Sequence, residues 1–326
     1  MADDKFLILN IIGGAGKNVL ATAVVKAIKN NKPDVKIIIL TAYTDIWMHN
    51  PNVYKCFLHG HAPYFYSDYI KGRNDVQICT MEPYTTQEYL LNQKHLIEIW
   101  CDLVGVPYSN EKPELFFNQR ELQYAQNKFY DGRKIFLIQT NGGMQQDVKI
   151  SWMRDMPLGT AQEIVNKFSN EYRIIHVRRE DQPALNGAEA SSVQNFRELM
   201  CLVRLSEKRL FIDSICQHIA AAIKKPSTVL WVRNSPEVLG YSMHDNIITK
   251  VEDEIDVLRN SILEPYDIAG NIYQCPFNED TILFDSNEVI DSLTNQKLST
   301  IDIAPIMTNG NHIKKNNTNN LETIKQ

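Results

Sequence analysis

The stretch LFIDSICQHIAAAIKKPSTVL, residues 210–230, decides the fold. Its first residues are apolar and lead to Asp213, which is typical of a strand buried on both faces of a sheet. Ser214 then begins a helical segment, and Pro226 separates that helix from a second apolar strand. A strand, a helix and a further strand form the βαβ unit of a parallel sheet, which binds ligands at the carboxyl ends of its strands.

The N-terminus shows the same pattern. The apolar run FLILNII, residues 6–12, is followed by the turn Gly13-Gly-Ala-Gly16 and then by apolar residues at helical spacing. Pro33 ends that helix, and the run KIIILT, residues 36–41, predicts the next buried strand. A glycine turn at the carboxyl end of the first strand therefore becomes a second candidate binding element.

Further apolar runs predict strands on both sides of residues 113–131, where the alternation of strands and helices pauses. These strands are expected at residues 75–79, 134–140, 173–177, 209–213 and 228–232. Two successive sets of βαβ units predict an α/β protein with two doubly wound, Rossmann-like domains that face each other across a cleft. We place the first domain at residues 1–130, the second at 131–300 and a disordered polar tail at 301–326.

Two capping patterns predict where helices begin. Thr85 and Glu88 have the spacing of a capping box, which predicts one long helix that reaches Val104. Asn118 and Glu121 have the same spacing and predict a shorter helix before the second domain.

Composition and charge exclude several classes of protein. Hydrophobic residues make up 44% of the 326 residues and charged residues 22%, as in folded rather than disordered chains. The net charge of -5, from 34 basic and 39 acidic residues, excludes a globally basic nucleic-acid binder. The chain lacks an apolar run of membrane-spanning length and a signal-peptide pattern. Six scattered cysteines are typical of reduced thiols, so we expect a cytoplasmic protein without a membrane span.

The residues after the strand that ends at Asp213 suit an anionic ligand. The unpaired N–H groups of the helix that begins at Ser214 face the same edge of the sheet and favour a phosphate or diphosphate. His218 lies about one helical turn further on, within reach of the same anion. The alternative is that Asp213 only caps the helix and that His218 is a packing residue.

This stretch resembles the ADP-heptose:lipopolysaccharide heptosyltransferases, glycosyltransferase family 9. Members of that family carry Asp-(Ser/Thr)-Gly-x-x-His-x-Ala-Ala-Ala after a strand, and then Pro-Thr-Val before the next strand. The matching residues here are Asp213, Ser214, His218, Ala220, Ala221, Ala222, Pro226, Thr228 and Val229. Ile215 stands where the family has glycine, and there is one extra residue before Thr228. The resemblance covers roughly residues 6–41 and 134–232.

Two more positions carry the resemblance. Family members have Gly-Asp-Val-Leu before the first helix, where this chain has Gly16-Lys-Asn-Val-Leu20. They also carry a lysine shortly before a tryptophan in the second domain, as Lys149 and Trp152 do here. In the family that lysine contacts the donor phosphates, which is a role that suits a cationic amine.

The resemblance implies a GT-B fold and an inverting, metal-independent transfer of sugar from a nucleotide-diphosphate sugar, which is a substrate, so no cofactor is expected. The acceptor hydroxyl could belong to a glycan, a lipopolysaccharide core, a protein or a modified nucleic-acid base. The predicted donor-binding residues are Asn141, Gly142, Lys149, Glu180, Asp213, Ser214 and His218. The predicted loop at the phosphates or the cleft is formed by Gly13, Gly14, Gly16 and Lys17. For Glu180, the alternative is a solvated run of charges.

Lys17 is the largest departure from the family. It occupies the position of the aspartate that takes the proton from the acceptor, and a protonated lysine cannot do this. We therefore predict that Lys17 contacts a phosphate and that any base lies elsewhere in the first domain. Candidates are Asp45, His59 and His61. The two histidines lack a neighbouring Cys or acid that would specify a metal, so no metal site is predicted.

Two alternatives stay open. The first is a GT-B-fold protein that binds its ligand or a partner without catalysis. The second is a ParA-like P-loop NTPase, because residues 12–17 resemble its phosphate-binding loop. That loop needs Ser or Thr directly after the lysine as a Mg²⁺ ligand, and this chain has Asn18 there.

Overall fold

The computed structural model describes residues 5–82, 86–142, 153–251 and 281–296, and also the backbone of residues 306–307.

The N-terminal part of the chain forms a parallel sheet. Its strands are β1 (Phe6–Asn10), β2 (Lys36–Thr41), β3 (Lys55–Leu58) and β4 (Val76–Thr80), in the order β3-β2-β1-β4. Alternate residues of β1 pack into two separate apolar clusters, Leu7 and Leu9 on one face and Phe6 and Ile8 on the other. Burial on both faces explains why this strand is apolar throughout. A short strand β5 (Phe117–Asn118) follows, and it pairs with residues 306–307.

A second parallel sheet lies in the C-terminal part. Its strands are β6 (Ile135–Ile138), β7 (Arg173–His176), β8 (Glu189–Ala190), β9 (Lys208–Ile212), β10 (Thr228–Trp231) and β11 (Asp245–Ile248). Their order is β11-β10-β9-β6-β7-β8, and every neighbouring pair is parallel. The strand formed by residues 306–307 is β12. We call residues 5–129 the N-terminal unit, and residues 135–251 with 281–296 the C-terminal unit.

Helices connect the strands of both sheets. They are α1 (Ala15–Asn31), α2 (Phe65–Tyr69), α3 (Gln87–Leu90), α4 (Leu96–Val104), α5 (Gln119–Phe129), α6 (Leu158–Phe168), α7 (Phe196–Leu205), α8 (Ile215–Ala222), α9 (Pro236–Leu239) and α10 (Ser286–Thr294). A 3₁₀ helix, Thr44–Trp47, follows β2. Two parallel sheets with interspersed helices confirm the predicted α/β class, and each predicted strand is found with ends that differ by at most two residues.

The helix predicted from Thr85 to Val104 is wrong as one element. Two helices occupy this region, because Thr86 caps α3 and His95 caps α4 by accepting a hydrogen bond from the Ile97 N–H at 3.2 Å. Thr85 itself lies outside the described residues. The second capping box is confirmed, since Asn118 and Glu121 each accept a hydrogen bond from the other's backbone N–H at 2.9 Å.

The predicted domain boundary at residue 130 falls between α5 and β6 and stays a prediction, as does the tail at 301–326, which, apart from 306–307, lies outside the described residues. Among the residues that the structure describes, no helix is both long and apolar enough to cross a membrane. The five cysteines that the structure describes are free thiols.

The two units pack against each other through α1 and α8, and through α5 and α7. Gly16, in the first turn of α1, lies close to α8 of the other unit. A Cβ atom at Gly16 would lie 2.8 Å from Cδ2 of His218 and 3.7 Å from Cα of Ile215. Because only glycine leaves this space open, the glycine turn serves helix packing between the units as well as the loop before it.

Replacing Gly16 by alanine should therefore lower the free energy of unfolding by about 1–3 kcal/mol, because the buried His218 ring must move. A matched control is Gly159→Ala, since Gly159 is also the second residue of a helix, α6, and a Cβ there meets no atom within 4 Å. That substitution should stabilise the protein by about 0.5–1 kcal/mol through helix propensity. Urea unfolding of both variants measures the difference, and equal effects would contradict the close contact.

Candidate functional site at the carboxyl ends of both sheets

The loop after β1 brings Lys17 back over the glycine turn. Gly13 has a φ of 106°, and a Cβ atom there would lie 2.8 Å from Cδ of Lys17. The N-cap residue of α1 is Gly14, no side chain caps the helix, and its first turn contains no acid. The positive end of the helix dipole and the Lys17 amine therefore act on the same space.

Lys17 lies close to an acid from each unit. Burial lowers the pKa of Lys17 to about 8, while the nearby carboxylates of Glu82 and Asp213 oppose this shift. The lysine is thus still mostly protonated at neutral pH. Because Glu82 follows β4 and Asp213 follows β9, the structure brings the carboxyl ends of both sheets to Lys17.

Sheet register places Glu82 beside the glycine turn. Asn10 is paired with Thr80, and the Met81 N–H donates to the Asn10 carbonyl at 2.8 Å. The Glu82 N–H then donates to the Thr80 carbonyl at 3.0 Å, which turns the chain directly after the strand. Burial raises the pKa of Glu82, and the charge of Lys17 opposes that shift. Glu82 was not predicted from the sequence, although its place two residues after a strand was a usable signal.

Asp213 is buried at the end of β9 and accepts a hydrogen bond from the Asn234 side-chain amide. Burial raises its pKa, while Asn234, Arg154 and Lys17 act in the opposite direction. Asp213 is not the cap of α8, as one of the alternatives supposed, because the N-cap residue is Ser214.

The N-terminus of α8 has no side-chain cap. The hydroxyl of Ser214 accepts a hydrogen bond from Nε2 of Gln139 at 3.2 Å and makes no bond to the helix backbone. The first turn of α8 also contains no acid. The N–H groups of this turn are therefore a suitable partner for an anion, and a donor contact at Ser214 stays a prediction.

The loop after β6 carries Arg154 to Asp213. A Cβ atom at Gly142 would collide with the guanidinium of Arg154, so the arginine packs directly on this glycine. Asp155 holds the turn by accepting from the Gly142 N–H at 2.9 Å and from the Asn141 amide at 3.0 Å. The predicted residues Asn141 and Gly142 thus shape the support for Arg154, which the sequence analysis missed. The predicted Lys149 lies outside the described residues.

A buried chain of hydrogen bonds fixes this support. The Thr140 hydroxyl donates to Oδ1 of Asn141 at 2.8 Å and lies 2.7 Å from Nε2 of His176. Nε2 of Gln182 donates to the Gly142 carbonyl at 3.0 Å. Burial lowers the pKa of His176 to about 4, so its ring is neutral at pH 7.

Tyr89 brings a phenol from the N-terminal unit to the same place. Burial raises its pKa, Asp213 adds to the shift and Arg233 opposes it. Arg233 and Asn234 follow β10, which is the next strand after β9 in the sheet. Neither Tyr89 nor Arg233 could be found from sequence spacing, because they meet only when the two units pack.

His218 lies beside this cluster in the packing between the units. Its Nδ1 is 3.0 Å from the Tyr241 hydroxyl, and the rings of His95 and His244 also contact Tyr241 at centroid distances of 5.6 and 5.7 Å. Burial lowers the pKa of His218 to about 3, and the two histidines add to this. These contacts match the packing alternative, and a donor contact for His218 stays a prediction.

The other predicted residues show no contact with the charged groups of this cluster among the bonds described. Asp45 lies in the 3₁₀ helix, where its carbonyl accepts from Arg197 at 3.5 Å. His59 is exposed with Nε2 at 2.9 Å from Oδ1 of Asn10, and His61 is an exposed loop residue. Glu180 is exposed, as the solvated alternative requires. In the described part of the chain, no group of three or more metal-ligating side chains comes together.

Asn18 tests the P-loop alternative. Its side chain is fully buried, and its Oδ1 accepts hydrogen bonds from the Thr41 hydroxyl at 2.6 Å and from the Trp47 indole at 3.0 Å. The position that would bind Mg²⁺ in a P-loop is therefore used to join α1 to β2 and to the 3₁₀ helix.

No family model and no curated protein sequence matches this chain. Several solved structures are similar to this chain. A family 9 glycosyltransferase from Veillonella parvula has a TM-score of 0.63 at 11% identity, over 90% of this chain and 97% of its own. The E. coli ADP-heptose lipopolysaccharide heptosyltransferase II has a TM-score of 0.58 at 12% identity, over 79% of this chain and 98% of its own.

A third similar structure is the dodecameric, iron-containing heptosyltransferase TibC of E. coli in complex with ADP-D-β-D-heptose. Its TM-score is 0.54 at 12% identity, over 75% of this chain and 62% of its own. At such identities the likeness concerns the fold. The chain thus has the GT-B fold, and the resemblance to glycosyltransferase family 9 is confirmed at that level.

Proposed function

We propose that this protein transfers a sugar from a nucleotide-diphosphate sugar to an acceptor hydroxyl. The observation that carries the proposal is the meeting of Lys17, Arg154 and the uncapped N-terminus of α8 around Asp213. Two cations and a helix N-terminus at the carboxyl ends of parallel strands suit a diphosphate. The GT-B fold supports this choice of ligand.

The same groups would assist the reaction. Breaking the bond between the sugar and the diphosphate places negative charge on the leaving oxygen, which Lys17 and Arg154 would stabilise together with the helix N–H groups. Such an arrangement needs no metal, and attack from the face opposite the leaving group inverts the anomeric carbon. Lys149 stays a predicted further contact to the phosphates.

An ADP-sugar is the first donor to test, because the similar TibC structure contains ADP-D-β-D-heptose. The acceptor stays open among the classes predicted above. We propose the cytoplasm as the place of action, where nucleotide-sugars would be the available donors.

A binding protein without catalysis is the second candidate, and two departures from the family favour it. Lys17 stands in place of the acidic base, and Ile215 stands in place of a glycine at the start of α8. In this structure the small residue at the close approach is Gly16 of α1, which lies against the backbone of Ile215.

Lys17→Ala should weaken the binding of ADP roughly 10- to 100-fold, because a charge-assisted hydrogen bond is worth about 1.5–3 kcal/mol. Lys17→Arg should keep most of the affinity, since the charge and the donors remain. Isothermal titration with ADP, GDP, UDP and their sugars measures this. The exposed Lys167, changed to alanine, is the matched control.

Three results would contradict the proposal. The first is that none of these nucleotides binds. The second is that Lys17→Ala binds them as tightly as the wild type does. The third is that the protein hydrolyses ATP with Mg²⁺ and that Lys17→Ala loses this activity. The last result would support the P-loop alternative despite the buried Asn18.

A further inference from the structure

We infer that Glu82 is the general base that takes the proton from the acceptor hydroxyl. This inference rests on the proposed function. It replaces the earlier candidates Asp45, His59 and His61 by a carboxylate that the fold places near Lys17.

The backbone fixes where Glu82 lies. The pairing of Asn10 with Thr80 continues through the Met81 N–H to the Asn10 carbonyl, at 2.8 Å, so residue 82 emerges beside the turn that begins at Gly13. The Lys17 side chain folds over that same turn. Glu82 is half-buried, so its carboxylate is partly withdrawn from water and still accessible to an acceptor.

Glu82 belongs to the N-terminal unit, while the groups assigned to the diphosphate other than Lys17 belong to the C-terminal unit. Asp213 is a poor alternative base, because its carboxylate accepts from Asn234 and lies among the cations that would hold the donor. Inversion requires a base on the face of the sugar opposite the diphosphate, because the acceptor attacks from that face, and an acid contributed by the other unit can take that place.

The charged and titratable neighbours of Glu82 define its behaviour. They are Lys17 from α1 and Tyr89 from α3, with Asp213 next to both of these residues. Burial raises the pKa of Glu82 and so makes it a stronger base than a carboxylate in water, while the Lys17 charge opposes this shift. Lys17 would therefore act on two groups, because its charge would bind the diphosphate and would also lower the pKa of the base.

In the transfer step, one bond forms at the anomeric carbon and one bond breaks. The acceptor proton moves to a carboxylate oxygen of Glu82 as the acceptor oxygen forms its bond to the anomeric carbon. The bond from that carbon to the phosphate oxygen breaks, and its electron pair leaves with the nucleoside diphosphate. Glu82 returns the proton to water after the products depart.

Hydrolysis of the donor tests the role of Glu82 as the base, even though the acceptor is unidentified, because water can take the acceptor's place. The probes are ADP-D-β-D-heptose, ADP-glucose, GDP-mannose and UDP-glucose, and the readouts are release of the nucleoside diphosphate and the Kd of each donor. Glu82→Gln should lower the hydrolysis rate roughly 10²- to 10⁴-fold and leave the Kd unchanged or slightly lower. The loss of rate on the acid side of the wild-type pH profile should vanish in this variant.

Glu163→Gln on the exposed face of α6 is the matched control and should behave as the wild type. Glu82→Asp should recover part of the rate, since it keeps the carboxylate. The inference is overturned if Glu82→Gln hydrolyses at the wild-type rate, or if the wild type binds a donor and never hydrolyses it. The second result leaves the donor site intact, whereas failure of every probe to bind overturns the proposed function as well.

Discussion

Replacing Arg197 by methionine should lower the free energy of unfolding by about 3–5 kcal/mol, because the change leaves a carboxylate without its cation. Arg197 lies on α7 of the C-terminal unit and donates two hydrogen bonds of 2.9 Å to Glu121 on α5 of the N-terminal unit. It also donates to the Phe116 carbonyl and packs over the Phe117 ring at 5.3 Å. The side chain of Arg197 is only 8% exposed and that of Glu121 only 19% exposed, so solvent screens this pair little.

Urea unfolding of Arg197→Met, of a double variant and of a surface control measures how much of this cost comes from the unpaired charge. The double variant Arg197→Met with Glu121→Leu should recover much of the lost stability, since no charge is then left unpaired. The surface pair of Arg133 and Asp131 gives the control, because Arg133 is 61% exposed and solvent screens the pair, so Arg133→Met should cost little stability. A cost of this small size at Arg197 too would show that the pair does not hold the units together.

Acid should unfold the protein well before most of its carboxylates are protonated. Burial lowers the pKa of four histidines, to about 3 for His218 and to about 4 for the other three. They are His218, His95, His176 and His244. In the unfolded chain they accept protons near pH 6.5, so protons bind preferentially to the unfolded state. This contribution to stability is complete above pH 6.5 and is lost as the pH falls toward 4.

The expected loss between pH 6.5 and pH 5 is on the order of 5 kcal/mol, which is comparable with the whole stability of many domains. Asp213 and Glu82, whose pKa values are raised by burial, offset a part of it. Urea unfolding at a series of pH values measures the slope. His244→Gln should reduce the slope by about one proton, since glutamine can still donate to the Gln217 carbonyl. If the free energy of unfolding of the wild type does not fall between pH 6.5 and pH 5, the burial of these rings is contradicted.

Much of the fold could be predicted because its signals are local. The apolar run of β1, its glycine turn and the capping box of Asn118 and Glu121 each specify structure within a few residues of sequence. Local signals also misled once, where His95 interrupts a helical pattern by capping a new helix. The resemblance to family 9 was informative because Asp213 and Ser214 occupy the strand end and the helix start that the motif requires.

The candidate site was predicted less well, because its charges meet through packing of separate elements. Glu82 reaches Lys17 only through the register between β4 and β1, and Arg154 reaches Asp213 only because Gly142 leaves room for it. Neither relation has a fixed spacing in sequence. The two histidine candidates for the base stay predictions, and the exposed His59 has its Nε2 2.9 Å from Oδ1 of Asn10.

The contacts between the units also limit how the protein can move. Two of them, at separate places, are the approach of Gly16 to His218 and the Arg197–Glu121 pair. Two fixed points define a line, so a rigid-body opening that keeps both contacts must be a rotation about that line. Atoms near the line then travel little while the outer loops sweep the largest arcs. A donor that enters and leaves the cleft would thus be admitted by a single hinge-like coordinate, and loosening either point would give the units the freedom to slide or twist.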